Sequence, residues 1–315
     1  MANCKMITQI FWILFFVLIF GAVIYDLWIQ GKRKKVLSLK EAGLWTIAWI
    51  SLALLFNLLI YFFFGSGKAL EFLTAYLLEK SLSLDNLFVF LVIFSYFDLP
   101  ILFQQKVLKL GILGAFVMRA VFIFGGIWLL SSFHFLFYIF GAFLIYSGIK
   151  LIFQKTEKIE PEKNLFLRIV RKVVPLVDDL KEGKIFIKKE GKICLTSLFA
   201  ILILIESSDL IFALDSVPAV LAITQDPFIA YTSNAFAILG LRALYFFLVG
   251  FLPKFIYLKR GITILLIFIG LKMVLSNVYH LSLVFSLSII LLIIGLSIIL
   301  SLIKQKQRKN YALPH

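Results

Sequence analysis

The segment ESSDLIFALDSVP, residues 206–218, places three carboxylates inside an apolar run that extends from residue 193 to residue 223. A run of that length can cross a bilayer, where each ionised side chain costs about 2.5 to 3.5 kcal/mol on insertion. A second segment, EKSLSLDN at residues 79–86, interrupts another apolar run in the same way. The two segments together predict one buried polar site that is assembled from two membrane helices.

The composition indicates a polytopic membrane protein with no nucleic-acid partner. Hydrophobic residues make up 62% of the 315 residues, and the mean hydropathy is +1.03. A net charge of +15 would suit nucleic acid in a soluble protein. Here the basic residues lie mainly in short segments between apolar runs, so they are better explained as topology signals. The 35 phenylalanines are expected to face lipid.

The reactive side chains argue against several classes of function. Cys4 and Cys194 are the only thiols, and the three histidines are far apart in the sequence, so a thiolate or imidazole metal site is not expected. We find no nucleophile with an adjacent base and no nucleotide-binding loop. The sequence therefore predicts that the protein is not an enzyme and holds no permanently bound cofactor.

Apolar runs predict an all-α fold with about nine transmembrane helices in a single domain over residues 1–315. Basic residues collect at 32–40, in a linker at 154–192 and in a tail at 304–315. With nine alternating helices, all three segments are cytoplasmic and the N-terminus lies outside. The predicted helices span residues 9–29, 43–64, 69–97, 107–130, 133–153, 193–223, 227–252, 255–275 and 281–303.

The basic linker is the one sizeable segment predicted to lie outside the bilayer. Within it, residues 164–174 place basic side chains on one helical face and apolar side chains on the other, which favours a helix at the membrane interface. Residues 184–193 predict a short hairpin around Glu190 and Gly191. Neither part carries a chemical motif.

Helices three to five and six to eight resemble two copies of one unit. Asp85 precedes Arg119 by nearly the same distance as Asp209 precedes Arg242. Because each copy crosses the membrane three times, the second copy is inverted, and transporters built this way bind substrate near the midplane between the copies. A second register is also open, because LDN at 84–86 resembles LDS at 214–216.

The buried charges predict a site for a hard divalent cation. The acidic residues at membrane depth exceed the basic ones by two, which matches one divalent cation or two protons. Carboxyl groups that lose their hydration bind protons readily, so exchange of a cation for protons is chemically natural. The alternative is that the acids and arginines form ion pairs that only hold helices together. Asp85, Asp209 and Asp215 favour the first interpretation most strongly.

A helix break is expected near Pro218. On a straight helix, two residues six positions apart point about 240° apart, so Asp209 and Asp215 would serve different partners unless the helix is broken. Pro218 lacks an amide hydrogen and leaves a carbonyl free one turn earlier. An unwound segment at this depth would add carbonyl oxygens to the carboxylates.

Three motifs closely resemble the TerC family of bacterial integral membrane proteins: YLLEKSLSLDNLFVF (76–90), IESSDLIFALDSVPAVLAIT (205–224) and DPFIAYTSNAFAILGLRALYF (226–246). The likeness covers about residues 44–275. It implies a location in the bacterial inner membrane, an association with tellurium resistance, and export of manganese. The resemblance places the family's acidic motif on Glu79, Asp85, Asn86, Glu206, Asp209 and Asp215.

These observations favour a secondary transporter that exports Mn²⁺ or a similar cation, with protons as the candidate coupling ion. Arg119 and Arg242 would compensate charge when the cation is absent. The alternative function is a membrane scaffold in a tellurite or envelope-stress response, which would act through the basic linker.

Overall fold

A computed structural model describes residues 2–28, 38–133, 135–153, 176–177, 185–189, 192–249, 257–275 and 283–311. Within these segments some side chains, among them those of Asp85 and Asp215, are outside the described set. The predicted interfacial helix at 164–174 also lies outside the described residues. The described part is helical apart from one small sheet, so the predicted all-α class is confirmed.

The described residues in the first half of the chain form four helices. They are α1 (Ala2–Trp28), α2 (Leu39–Tyr96), α3 (Ile101–Ser132) and α4 (Leu136–Phe153). Helix α2 contains two of the predicted membrane segments and is interrupted at Gly65, whose φ of 85° and ψ of 172° are open only to glycine. The expected turn after residue 64 is therefore a single-residue break, and the helix resumes immediately.

The described part of the linker forms a three-stranded sheet from β1 (Leu176–Val177), β2 (Phe186–Lys189) and β3 (Lys192–Thr196). Strands β2 and β3 pair antiparallel, with Lys189 opposite Lys192, which confirms the predicted hairpin. Strand β1 pairs in parallel with β3. A strand of only two residues leaves no pattern in the sequence from which this pairing could be predicted. The predicted helix start at residue 193 was wrong, because the chain remains extended to Thr196.

The second half forms α5 (Ser197–Leu221), α6 (Pro227–Leu239), α7 (Leu241–Leu248), α8 (Leu258–Val274) and α9 (Leu283–Tyr311). The Asp226 side chain caps α6 by accepting hydrogen bonds from the amides of Phe228 and Ile229. The predicted helix at 227–252 is divided at Gly240. Helix α9 continues into the predicted tail and ends at Tyr311.

Four described segments are long and apolar enough to cross a membrane: Leu39–Ser83, Ile101–Ser132, Ser197–Leu221 and Phe285–Lys304. Two shorter apolar segments, Met6–Ala22 and Thr263–Lys272, accompany them. Every predicted membrane helix has a described helix at its position. The protein is a multi-pass membrane protein.

The packing of the helices follows the predicted repeat. The second half of α2 packs against α6 and α7, while α3 packs against α5. In the predicted numbering, the first contact joins helix three to helix seven and the second joins helix four to helix six. Superposing helices three to five on helices six to eight therefore turns one contact into the other. Helices α4 and α8, the third members of each copy, pack against each other, and the backbone oxygen of Gly141 lies close to Gly270.

Several phenylalanines form a core of their own, which corrects the expectation that they face lipid. Phe15, Phe56, Phe72 and Phe236 are buried, and the rings of Phe56 and Phe236 lie 4.8 Å apart. The cluster joins α1, both halves of α2, and α6. Aromatic rings bury large areas and pack edge to face. They can therefore hold helices together inside a bilayer, where the hydrophobic effect of water is absent.

Candidate cation site

The site centres on a buried ion pair between α2 and α3. The Nη1 atom of Arg119 lies 2.5 Å from Oε1 of Glu79, and the two side chains are 2% and 0% exposed. The Nη2 atom of the same guanidinium lies 3.8 Å from Oδ1 of Asp209 on α5. One arginine thus lies against two carboxylates from two different helices.

Two neutral residues complete this network. Arg119 donates hydrogen bonds from Nη1 to Oγ of Ser216 at 2.7 Å and to Oδ1 of Asn234 at 3.3 Å. The Nδ2 atom of Asn234 donates to Oε2 of Glu79 at 3.0 Å. Asn234 therefore bridges both members of the ion pair.

Asp209 is held from one side only. Its Oδ1 atom accepts a hydrogen bond of 2.8 Å from Nδ2 of Asn86 on α2. Its Oδ2 atom is buried and finds no partner among the described residues. Since a buried carboxylate oxygen normally accepts a hydrogen bond, this atom is free to bind a cation or a proton.

One polar face of α2 contributes to the site. Glu79, Ser83 and Asn86 follow one another at spacings that align side chains along a helix. The hydroxyl of Ser83 lies 3.5 Å from Oε1 of Glu79, and Asn86 reaches Asp209 as described above. This face therefore supplies the α2 half of the site.

A small cavity of about 20 Å³, enough to hold at least one water molecule, adjoins Asp209. Glu206 and Arg242 line it together with apolar side chains from α2, α3 and α6. The wall formed by α3 lies in the first half of that helix, and the other α5 residues that line the cavity, Ile205 and Glu206, precede Asp209, the middle residue of α5. The cavity is thus on the side of Asp209 nearer the sheet.

Glu206 fits because α3 has a glycine opposite it. A Cβ atom added at Gly114 would collide with both carboxylate oxygens of Glu206. Of the Glu206 carboxylate, a Cβ atom added at Gly111 would meet only Oε1, at ordinary contact distance. The absence of a side chain at Gly114 therefore creates the space for this carboxylate.

Lys80 is adjacent to Glu79 in the sequence but serves another part of the fold. Its Nζ atom donates a hydrogen bond of 3.0 Å to the backbone oxygen of Ala237, in the last turn of α6. A cation at the C-terminal end of a helix is stabilised by the helix dipole. Lys80 thereby supports the break between α6 and α7 at Gly240.

A second charged cluster lies at the opposite end of the bundle. Lys68, just after the break in α2, lies 3.0 Å from Glu71 and 3.1 Å from Asp226. Thr224 donates a short hydrogen bond to Oε2 of Glu71, the oxygen that Lys68 also contacts. This cluster ties α2 to the connection between α5 and α6.

The structure brings most of the predicted site residues together. Glu79, Asn86, Asp209 and Arg119 meet in the network, and Glu206 and Arg242 line the adjoining cavity. The side chains of Asp85 and Asp215 lie outside the described set. Among the described side chains, no three Asp, Glu, His or Cys residues lie close enough to hold a metal ion. The described network instead surrounds the guanidinium of Arg119.

The predicted helix break at Pro218 was wrong. Helix α5 continues to Leu221, and Pro218 lies in its last turn. A proline so close to the end of a helix removes one hydrogen bond and leaves the preceding turns intact. The site therefore uses side-chain oxygens from a continuous α5.

The network also favours one of the two repeat registers. Glu79 and Asp209 contact the same arginine. Asn86 hydrogen-bonds Asp209, while Ser216 hydrogen-bonds the partner of Glu79. Equivalent roles therefore pair Glu79 with Asp209 and Asn86 with Ser216, which is the register indicated by LDN and LDS.

Sequence reasoning missed three residues of the site: Ser216, Asn234 and Gly114. Asn234 carried a usable signal, because an amide within an apolar helix needs a buried partner. Ser216 stood inside the motif but served only to align LDS with LDN in the repeat. Gly114 carried no signal of its own, since its role depends on which helix faces it.

Together, the fold and the site define a polytopic helical membrane protein with charged groups buried between its helices. The profile described as the integral membrane protein TerC family matches residues 64–309. The chain belongs to the TerC family.

Curated relatives match along nearly the whole chain. The Alx protein of Salmonella typhi, a candidate membrane-bound redox modulator, is 41% identical over 90% of this chain and 91% of its own length. The uncharacterised membrane protein STKORF319 of Myxococcus xanthus is 43% identical over 94% and 92%. An uncharacterised membrane protein of Rickettsia bellii is 38% identical over 88% and 92%. No solved structure matches the chain.

Proposed function

We propose that the protein exports Mn²⁺ or another hard divalent cation from the cytoplasm across a bacterial inner membrane. Protons are the expected counter-ion, and the N-terminus lies outside. The observation that carries this proposal is the buried Oδ2 atom of Asp209, which has no partner among the described residues and belongs to a side chain that lines the cavity.

The donor set supports a hard cation. Glu79, Asp209, Glu206 and the amide of Asn86 offer oxygen atoms within or beside the network. Oxygen ligands suit manganese, magnesium and calcium, whereas copper(I) and zinc favour sulfur or imidazole. Among these hard cations, the family resemblance favours manganese.

The test measures manganese in a bacterium that lacks its own exporters. Wild type, Asp209→Asn and Asp98→Asn are compared at matched membrane levels during growth in high manganese. Asp98 is exposed and has a φ of 45°, which asparagine tolerates, so it is the matched acid-to-amide control. We expect wild type and Asp98→Asn to lower cellular manganese and Asp209→Asn to lose this effect. Equal manganese in all three strains and the empty vector would contradict export.

The proton requirement needs a separate measurement. Protein in liposomes containing a pH-sensitive dye should move protons opposite to the cation, and the signal should disappear in Asp209→Asn. Cation flux without a pH change would remove protons from the proposal while leaving export in place.

A scaffold acting through the linker is the second candidate. It is supported by the ordered sheet, because β3 leads directly into α5 and could transmit binding at the linker to the membrane part. Replacing residues 164–192 with a neutral linker of equal length should then abolish the resistance phenotype, while Asp209→Asn should retain it.

The name of the Alx relatives raises a redox role as a further candidate. In this chain Cys194 is buried in β3, so direct thiol chemistry there would require local opening. Cys194→Ser should therefore leave any redox phenotype unchanged. Loss of that phenotype with normal protein levels would favour the redox role.

A further inference from the structure

We propose that Arg119 is a built-in competitor of the exported cation: its guanidinium binds Glu79 and Asp209 in the empty carrier and gives them up when the cation arrives. This inference rests on the proposed export function and assigns one residue a specific role in the transport cycle. It differs from simple charge compensation, because it requires the arginine and the cation to exclude each other from the same carboxylates.

The first reason is position. Arg119 is almost completely buried, and its two terminal nitrogens lie against carboxylates from α2 and α5, at 2.5 Å from Glu79 and 3.8 Å from Asp209. In the predicted repeat, these helices are the first members of the two copies. The guanidinium thus lies where a cation bound by both copies would have to lie.

The second reason is that the arginine fits this position incompletely. Its Nε atom and the Oδ2 atom of Asp209 are both buried without a hydrogen-bond partner among the described residues. If the arginine served only to hold the helices together, each of its two terminal nitrogens would be expected to make a short contact with a carboxylate. Here one contact is short and the other is long.

The third reason is that neutral acceptors are in place to hold the arginine after it leaves the carboxylates. Ser216 and Asn234 already accept hydrogen bonds from Nη1. A cation entering through the cavity meets Glu206 and Asp209, which both line it, and Asp209 has an unpartnered oxygen. Binding there weakens the longer of the two arginine contacts, and the guanidinium can stay bonded to the hydroxyl and the amide.

This arrangement makes a specific statement about the transport cycle. A cation-free carrier with Glu79 and Asp209 uncovered would keep negative charge in a poorly solvated site while it changes conformation. Arg119 covers the charge that bound protons do not neutralise, so the cation-free carrier can return. Without the arginine, the cation should bind more tightly, and the return step should be the one that fails.

The experiment uses full-length protein in liposomes and in detergent, with Mn²⁺ as the probe. Wild type, Arg119→Gln and Arg242→Gln are compared, because Arg242 lines the same cavity and controls for loss of one nearby positive charge. Arg119→Lys is included as a folded alternative, since lysine keeps the charge but has no fork to span two carboxylates. Binding is measured by calorimetry and by the shift in unfolding temperature.

We expect Arg119→Gln to bind Mn²⁺ at least tenfold more tightly than wild type, and Arg242→Gln to change affinity less. Arg119→Lys should lie between wild type and Arg119→Gln. In liposomes, Arg119→Gln should exchange internal for external Mn²⁺ and lose net efflux, because exchange never requires the empty carrier to return.

Three results would overturn the inference. Equal or weaker binding by both Arg119 variants, with clear binding by wild type, would leave export standing and make Arg119 a structural ion pair. An equal rise in affinity for Arg119→Gln and Arg242→Gln would reduce the effect to general repulsion. Absence of Mn²⁺ binding and flux in every protein, wild type included, would remove the export proposal together with this one.

Discussion

At the scale of single residues, the carboxylate of Glu206 depends on the missing side chain of Gly114. We expect Gly114→Ala to push this carboxylate out of the cavity and to abolish cation efflux. Overpacking of this kind costs about 1 to 3 kcal/mol of stability. The measurement is Mn²⁺ efflux from liposomes together with thermal unfolding in detergent.

Gly125→Ala is the control, because it lies on the same helix and an added Cβ would meet nothing within 4 Å. Since alanine favours a helix over glycine by about 1 kcal/mol, this variant should be as stable as wild type or slightly more stable, with normal efflux. Full efflux by Gly114→Ala would mean that Glu206 needs no fixed position.

Asn234 tests the network itself. Replacement by alanine removes a donor from Glu79 and an acceptor from Arg119, and both groups remain buried. We expect the free energy of unfolding to fall by about 1 to 3 kcal/mol. Ser233→Ala is the matched control, because that hydroxyl bonds only a carbonyl of its own helix in the contacts described. Equal stability of both variants would show that the bridge through Asn234 contributes little.

At the scale of elements, the break in α2 depends on one glycine. Gly65 has backbone angles that cost any other residue about 1 to 3 kcal/mol. Gly65→Ala should therefore lower the unfolding temperature, whereas Gly67→Ala, two residues away and equally open around its Cα, should not. Unfolding followed by circular dichroism distinguishes the two, and identical curves would mean that the helix can straighten at no cost.

The elements also show what the sequence could and could not predict. Apolar runs located every described membrane helix, because lipid imposes length and composition directly. The ends of the helices were harder to predict. Strand β3 occupies Lys192–Thr196, where the apolar residues predicted the start of a helix. Pro218 illustrates a different limit, since its effect depends on how near it lies to a helix end.

For the site, chemical types were predictable and pairings were not. The energetic cost of burial identified Glu79 and Asp209, because few reasons justify a carboxylate at membrane depth. That both contact Arg119 depends on how α2, α3 and α5 pack, which spacing in one chain does not determine. The role of Gly114 is a consequence of the same packing.

At the scale of the whole molecule, the two ends of the bundle differ. The cavity beside Asp209 lies toward the sheet, while the cluster of Lys68, Glu71 and Asp226 joins the helices at the other end. Helix α5, with 25 residues, runs between these ends and is about 37 Å long, enough to cross a bilayer. The site is thus nearer to an opening on the sheet side.

Which side of the membrane carries the sheet therefore decides the direction of transport. In a background with Cys4→Ser and Cys194→Ser, we expect Ser66→Cys and Ser131→Cys to react with a membrane-impermeant maleimide in intact cells. Phe186→Cys, which replaces an exposed residue of β2, should react only after the membrane is opened. This pattern follows from the charge of the linker, because basic segments remain in the cytoplasm. It would place the cavity within reach of cytoplasmic cations, as export requires. Labelling of Phe186→Cys in intact cells would show the opposite orientation in the membrane. The same cavity would then receive cations from outside, which is the arrangement of an importer.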